Sequence, residues 1–193
     1  MSANHLFTKR QKEPDIAERF GRRNFIRYGL TSLFAFSFSS SVFAKTNGYD
    51  FLTFFNTHTR ERMRILYTPG IYKGSVSSAL QYFLRDFRTG DTHPIDPALL
   101  DSLWAIQEKC GTHTFYEVVS GYRSPKTNEF LRKHSDGVDP NSLHMQGRAI
   151  DVRLVGVELD HLREVAMALH PGGVGFYPQS NFIHIDTGEK RHW

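Results

Sequence analysis

His144 and Asp151 stand seven residues apart, with Gly147 between them, in the string Ser142-Leu143-His144-Met145-Gln146-Gly147-Arg148-Ala149-Ile150-Asp151. Further along, Phe182-Ile183-His184-Ile185-Asp186 adds a histidine and a carboxylate two residues apart. Imidazole nitrogen and carboxylate oxygen are donors for catalytic zinc, and two histidines with one carboxylate leave a position open for water. If the three side chains converge, the chemistry is hydrolysis. Gly147 permits a tight backbone path between the first pair. On a strand, His184 and Asp186 share a face. Asp186 can then lie near the reacting water or hydrogen-bond a ligand histidine from behind. Spacing alone does not decide the matter: the chain has ten histidines, and a lone one is more often a surface or satisfied core residue.

Other polar residues carry less. His192 adjoins Trp193 and reads as a surface residue, and His113 is no better placed for metal. Ser142 shapes its loop rather than attacking a substrate, because no Ser-His-Asp order is evident. Arg85-Asp86 reads as a solvated or intramolecular pair.

The elements that must position these groups follow a leader. Arg22-Arg23-Asn24-Phe25-Ile26-Arg27 is a twin-arginine pair, an apolar stretch runs from Tyr28 to about Phe38, and Val42-Phe43-Ala44 has the small-residue pattern of a cleavage site. Residues 1–44 are therefore expected to be a Tat-type signal and 45–193 the working domain, delivered to the periplasm; the apolar stretch is short for a membrane span. The leader holds seven bases and three acids, and the whole chain 24 and 20, so residues 45–193 balance at 17 and 17. The high pI belongs to the leader, and a nucleic-acid surface loses its electrostatic support. Cys110 is the only cysteine, so no intramolecular disulfide is available and stability rests on a core or a metal.

Residues 51–67 alternate loosely about a polar centre at 56–61, which predicts a hairpin. Leu80, Phe83, Leu84 and Phe87 predict a helix over 79–87, capped by Ser77 or Ser78. Asp96-Pro97 opens a second helix with Leu99, Leu100, Leu103, Trp104 and Ile106 as its buried stripe, closed by Cys110-Gly111. Strands are predicted at 114–119, 149–155, 174–177 and 182–186, the last two pairing. Short helices are predicted at 126–133 and 159–169. Strand and helix do not alternate regularly, which favours an α+β domain with an antiparallel sheet and flanking helices.

The string from Ser142 to Asp151 resembles the Ser-x-His-x-x-Gly-x-Ala-x-Asp signature of the D-alanyl-D-alanine carboxypeptidase-like zinc peptidases. Gly121-Tyr122-Arg123-Ser124 is similar to that family's upstream arginine turn. Gly175-Phe176-Tyr177-Pro178 through Phe182-Ile183-His184-Ile185-Asp186 resembles the closing motif of its YcbK-like branch of exported murein endopeptidases. The resemblance covers nearly all of 45–193 and implies the fold shared with lysostaphin-type peptidases and the hedgehog domain. It implies Zn2+ on His144, Asp151 and His184, with Arg123 binding substrate or steadying an oxyanion. The substrate would be peptidoglycan stem peptides or their cross-links, with neither nucleic acid nor a membrane span as partner. Many relatives carry a Glu, Asp or His a few residues before the last ligand; Ser180-Asn181-Phe182-Ile183 offers no carboxylate. Asp186 is then the nearest candidate for the catalytic base, with a supporting role behind His184 as its alternative. The missing acid also leaves open a non-catalytic, zinc-containing wall-binding module, and a zinc-free envelope protein is a third reading.

Overall fold

Alternation along the first strand sets the architecture. The structure, a computed structural model, describes residues 50–70, 77–135, 137–169 and 171–193; the expected leader lies outside them. Strands β1 (Asp50–Asn56) and β2 (Arg62–Tyr67) pair antiparallel, with Leu52 and Phe54 fully buried while Phe51, Thr53 and Phe55 take the opposite face. Asn56 closes the hairpin turn, its Oδ1 accepting the backbone N–H groups of His58 at 2.9 Å and Thr59 at 3.0 Å.

Strands β3 (Tyr116–Ser120), β4 (Ala149–Leu154), β5 (Gly173–Tyr177), β6 (Phe182–Asp186) and β7 (Arg191–His192) complete a seven-stranded sheet in the order β2-β1-β3-β4-β6-β5-β7. The fold is α+β, as expected, and most pairings are antiparallel. The β1/β3 and β5/β7 pairs run parallel, which makes the sheet mixed.

Helices α1 (Ser78–Phe83), α2 (Pro97–Lys109) and α3 (Pro125–His134) follow their capping residues, and α4 (Leu159–Leu169) completes the set. Asp96 Oδ1 accepts from Ala98 N at 3.0 Å with Pro97 at the first helical position, and Ser124 Oγ accepts from Thr127 N at 3.2 Å with Pro125 beside it. Helix α1 stops at Phe83, short of the Phe87 expected from periodicity. The Leu84 carbonyl accepts from Tyr122 N at 2.8 Å instead of continuing the helix, and Asp86 turns the chain by accepting Arg88 N.

The core lies on one face of the sheet. Phe54, Tyr116, Val118, Ile150, Val152, Leu154, Ile183 and Ile185 pack against Leu80, Leu99, Leu103, Ile106, Leu162 and Ala166 from the helices. By the period of two, Phe55, Glu117, Asp151, Arg153, His184, Asp186 and Tyr177 belong to the other face. Asp151, His184 and Asp186 therefore stand on strands, on the face opposite the core helices.

Candidate metal centre

Two strands and one turn bring the predicted ligands together. Asp151 on β4 and His184 on β6 are direct cross-strand partners, so the ladder fixes their spacing. His144 lies in a 3₁₀ turn over Leu143–Gln146 that periodicity did not foresee. Gly147 ends that turn at φ 64°, in the left-handed region, with its backbone against the Pro94 carbonyl; a Cβ there would collide with that oxygen. The Gly147 carbonyl also accepts from Asp96 N at 2.9 Å, which ties the turn to the start of α2.

One ligand atom from each of His144, Asp151 and His184 lies within 4.8 Å of the others, and all three residues are buried. Asp151 Oδ1 is 3.2 Å from His144 Nε2 and 2.8 Å from His184 Nδ1, and those two nitrogens are 3.2 Å apart. The outer nitrogens fix the tautomers. His144 Nδ1 is 2.7 Å from the Gly121 carbonyl, which only accepts, so Nδ1 carries the proton. His184 Nε2 is 3.1 Å from Asp186 Oδ2, which likewise accepts a hydrogen bond from the ring, so Nε2 carries the proton. In the neutral rings the lone pairs of His144 Nε2 and His184 Nδ1 then point at each other and at a carboxylate oxygen. Three lone pairs at this separation repel unless a proton or a metal cation stands among them. The donor set, its burial and its backed-up rings fit a divalent ion of the zinc type.

The electrostatics agree. Burial disfavours charge on His184, yet the hydrogen bonds to Asp151 and Asp186 on its two nitrogens outweigh it and push its pKa up to about 9. His144 faces one carboxylate only; burial lowers its pKa, with Asp151 opposing. Burial also works against charge on Asp151, but the His144 and His184 imidazoles prevail and hold the carboxyl far below the usual range. Without a metal, the shared proton belongs to His184.

Asp186 occupies a different place from the ligands. It is completely buried behind His184. Its Oδ2 accepts from His184 Nε2 and, at 2.8 Å, from Arg191 Nη2; its Oδ1 accepts Gly188 N at 2.8 Å and Gly173 N at 3.3 Å. The carboxylate thus sits on the ring edge remote from the ligand nitrogens.

Arg123 stands on the turn after β3 with Nη2 3.7 Å from Asp151 Oδ2. Its turn and the ligand turn clasp each other: Arg123 N donates to the His144 carbonyl at 3.1 Å while Gly121 O accepts from the His144 ring. Behind the clasp is a residue whose partner the sequence did not reveal. Asp86 does not pair with Arg85, which makes a two-point contact with Glu61 at 2.9 and 3.1 Å. Instead Asp86 is buried and accepts both Ser124 N and Ser124 Oγ. Only the Ser-Pro signature of a helix start at 124–125 hinted that a partner was needed there.

The cluster lies in a cleft of about 320 Å³. Arg123, Asp139, Ser142, Tyr177, Arg191 and Trp193 are among the residues that line it. Trp193 stands over His184, ring centres 5.3 Å apart, and its Nε1 donates to Tyr177 Oη at 2.8 Å. His113 is far from this place, 3.7 Å from Glu108 at the end of α2, and His192 is exposed on β7.

A buried His-Asp-His set on two strands and a turn of an α+β fold, beneath a cleft lined by arginine, is a donor set that could hold a metal ion of the kind hydrolases use. The chain belongs to the peptidase family described as peptidoglycan L,D-endopeptidase MepK, whose model matches residues 44–193. It is 39% identical over 175 residues to the peptidoglycan L,D-endopeptidase MepK of Escherichia coli K12, covering 89% of this chain and 96% of the relative. It is 43% identical over 146 residues to a probable peptidoglycan L,D-endopeptidase MepK of Haemophilus influenzae, covering 74% of this chain and 77% of the relative. No solved structure matches the chain significantly. Among the described residues, no helix is long and apolar enough to cross a membrane.

Proposed function

We propose that the protein is an exported, zinc-dependent murein endopeptidase that hydrolyses peptide cross-links between cell-wall stem peptides. The relatives' names specify a bond between an L and a D centre, and we assign this chain the same bond class. The observation that carries the reading is the convergence of three donor atoms with their lone pairs turned toward one point, at the floor of a cleft beside an arginine.

His144, Asp151 and His184 would hold the ion. Zinc, when bound, supplies a Lewis acid that brings the pKa of water toward ~7 and polarises a carbonyl. The chain's own residues supply the rest. The Gly121 carbonyl and Asp186 lock the two imidazoles in the tautomers that offer a lone pair inward. Asp151 contributes the single negative charge of the donor set. Arg123 presents a planar, permanently charged fork to the cleft, suited to a stem-peptide carboxylate or to the charge that develops on the scissile carbonyl. Tyr177 accepts the Trp193 indole proton, which leaves its own O–H free to donate into the cleft. Asp186, with its oxygens engaged behind His184, serves as the ring's anchor in this reading, and the base is not assigned to it.

Export follows from residues 1–44, read as a twin-arginine leader, with 45–193 working in the periplasm. Retention of the precursor in the cytoplasm when Arg22 and Arg23 are both changed to Lys tests that step.

The experiment for the activity is incubation of the zinc-loaded chain with purified sacculi and separation of the released muropeptides. Cross-linked dimers should fall and monomers rise, at about one zinc per chain. His144→Ala should abolish both zinc retention and release. Full activity of His144→Ala in the presence of a chelator would falsify the reading.

A further inference from the structure

We propose that the open sheet face beside the cleft is an exosite for the anionic glycopeptide polymer whose cross-link enters the cleft. The inference rests on the murein reading of the metal site.

Three arginines project from the β1–β2 hairpin and lie on aromatic rings. Arg60 and Arg62 each stand 4.9 Å from the centre of the Phe55 ring, Arg62 is 5.0 Å from Phe115, and Arg64 is 3.8 Å from Phe51. Among the described residues none of the three meets a carboxylate, although neighbouring arginines do: Arg85 pairs with Glu61, and Arg153 with Glu117. Arg62 and Arg64 are exposed, as is Phe51. Arg60 holds φ 63°, a left-handed conformation that Gly or Asn would adopt more cheaply. Acids and bases balance over residues 45–193, so this run of unpaired guanidinium groups is a local concentration of charge.

The register joins the patch to the metal site. Arg62 pairs with Phe55, Phe55 with Glu117, and Glu117 with Arg153, in one row across four strands. Arg153 is two residues from Asp151 on the same face of β4. Three strand spacings separate Arg62 from that strand, about 14 Å. The ladder and the ligands therefore lie on one face of the sheet, opposite the core helices α1, α2 and α4.

Arginine stems that merely shield rings from water would account for each stack singly. They do not account for three guanidinium groups that, among the described residues, have no carboxylate partner and that line the β1–β2 hairpin at the edge of the face carrying the cleft. Murein offers the complement to this ladder: stem-peptide carboxylates for guanidinium groups that the aromatic rings hold in place.

The test compares zinc-loaded wild type with Arg62→Gln/Arg64→Gln on two substrates, intact sacculi and a soluble cross-linked stem-peptide dimer without glycan. Loss of two charge contacts on a multivalent polymer predicts sacculus co-sedimentation and sacculus hydrolysis at low substrate reduced by roughly fivefold or more. Dimer turnover should stay within about twofold, because the ladder lies outside the cleft. Salt near 0.5 M should weaken wild-type sedimentation toward that of the variant. Unchanged sedimentation overturns the proposal, and so does an equal loss on the soluble dimer. Weakened binding to anionic phospholipid vesicles with sacculus binding intact would assign the face to a lipid surface instead. The sedimentation arm repeated with His144→Ala as the parent does not depend on turnover. Wild type inactive on both substrates would remove the murein reading, whereas an active wild type matched by the variant on sacculi removes only the exosite.

Discussion

Asp86 Oδ2 accepts two hydrogen bonds from one residue, Ser124, from its backbone N–H at 2.9 Å and its hydroxyl at 2.7 Å. The contact spans 38 residues and fixes the turn on which Arg123 stands. Burial opposes the charge on Asp86, but Thr127, Ser124 and the Arg88 N–H overcome it and hold its pKa below the ordinary carboxylate value. Asp86→Asn places an amide donor against the Ser124 donors, and unfolding stability at pH 7 should fall by on the order of 1–3 kcal/mol. A group with a depressed folded-state pKa stabilises above its unfolded value, near ~3.9, and loses that contribution as pH falls through the folded value. The difference between wild type and variant in urea titrations should therefore shrink below about pH 4. A difference that is constant from pH 7 to 3 would contradict this account.

Zinc uptake should expel a proton. The metal-free His184 has its pKa pushed up to about 9, so at neutral pH the ion must displace the proton that bridges to Asp151. Apparent zinc affinity should weaken by about tenfold per pH unit below that value. The sign reverses for the metal-free fold. A raised histidine pKa stabilises fully below the unfolded value, near ~6.5, and that stability disappears as pH rises through the folded value. Calorimetric titration in two buffers of different ionisation enthalpy reads the proton directly; a flat affinity between pH 6 and 8 would refute the linkage.

Asp186→Asn separates an anchor from a base. If Asp186 acts by holding the His184 ring, zinc affinity should drop by about 10–100-fold and activity should return when zinc is raised to saturation. A kcat that stays low at saturating zinc would give Asp186 a part in proton transfer.

Gly175→Ala should disturb the cleft wall and spare the ion. A Cβ at position 175 would come within 2.7 Å of the Trp193 indole, which forms that wall over His184. The indole must shift and its bond to Tyr177 Oη must break. KM for a muropeptide dimer should rise while zinc stoichiometry stays at one per chain. In a Trp104→Phe background, Trp193 is the sole indole fluorophore, and its emission should move on Gly175→Ala substitution. An unchanged emission spectrum would mean that the wall tolerates the methyl.

Much of the site was legible before the fold was known. His144, Asp151 and His184 are chemically conspicuous, and their strings resemble a family signature; the structure brings the three together. The helix start at Asp96-Pro97 was legible because capping chemistry is local. What was hidden depends on contacts between distant residues. The end of α1 is set by Tyr122 competing for the Leu84 carbonyl, which no helical periodicity announces. The place of Asp86 was hidden, because nothing in the local sequence points to Ser124. Strand β7 is two residues long and has no pattern to read, so the place of Trp193 in the cleft was invisible. Parallel pairing of β1 with β3 leaves no trace in either strand's own alternation.

Asp151 and His184 sit opposite each other on hydrogen-bonded strands β4 and β6. An ion held by both would brace two neighbouring strands from the cleft side, and its binding energy would add to the cohesion of that ladder. Loading zinc should therefore slow hydrogen exchange of the Val152 and Ile183 amides, tying the lifetime of the ladder to the occupancy of the site.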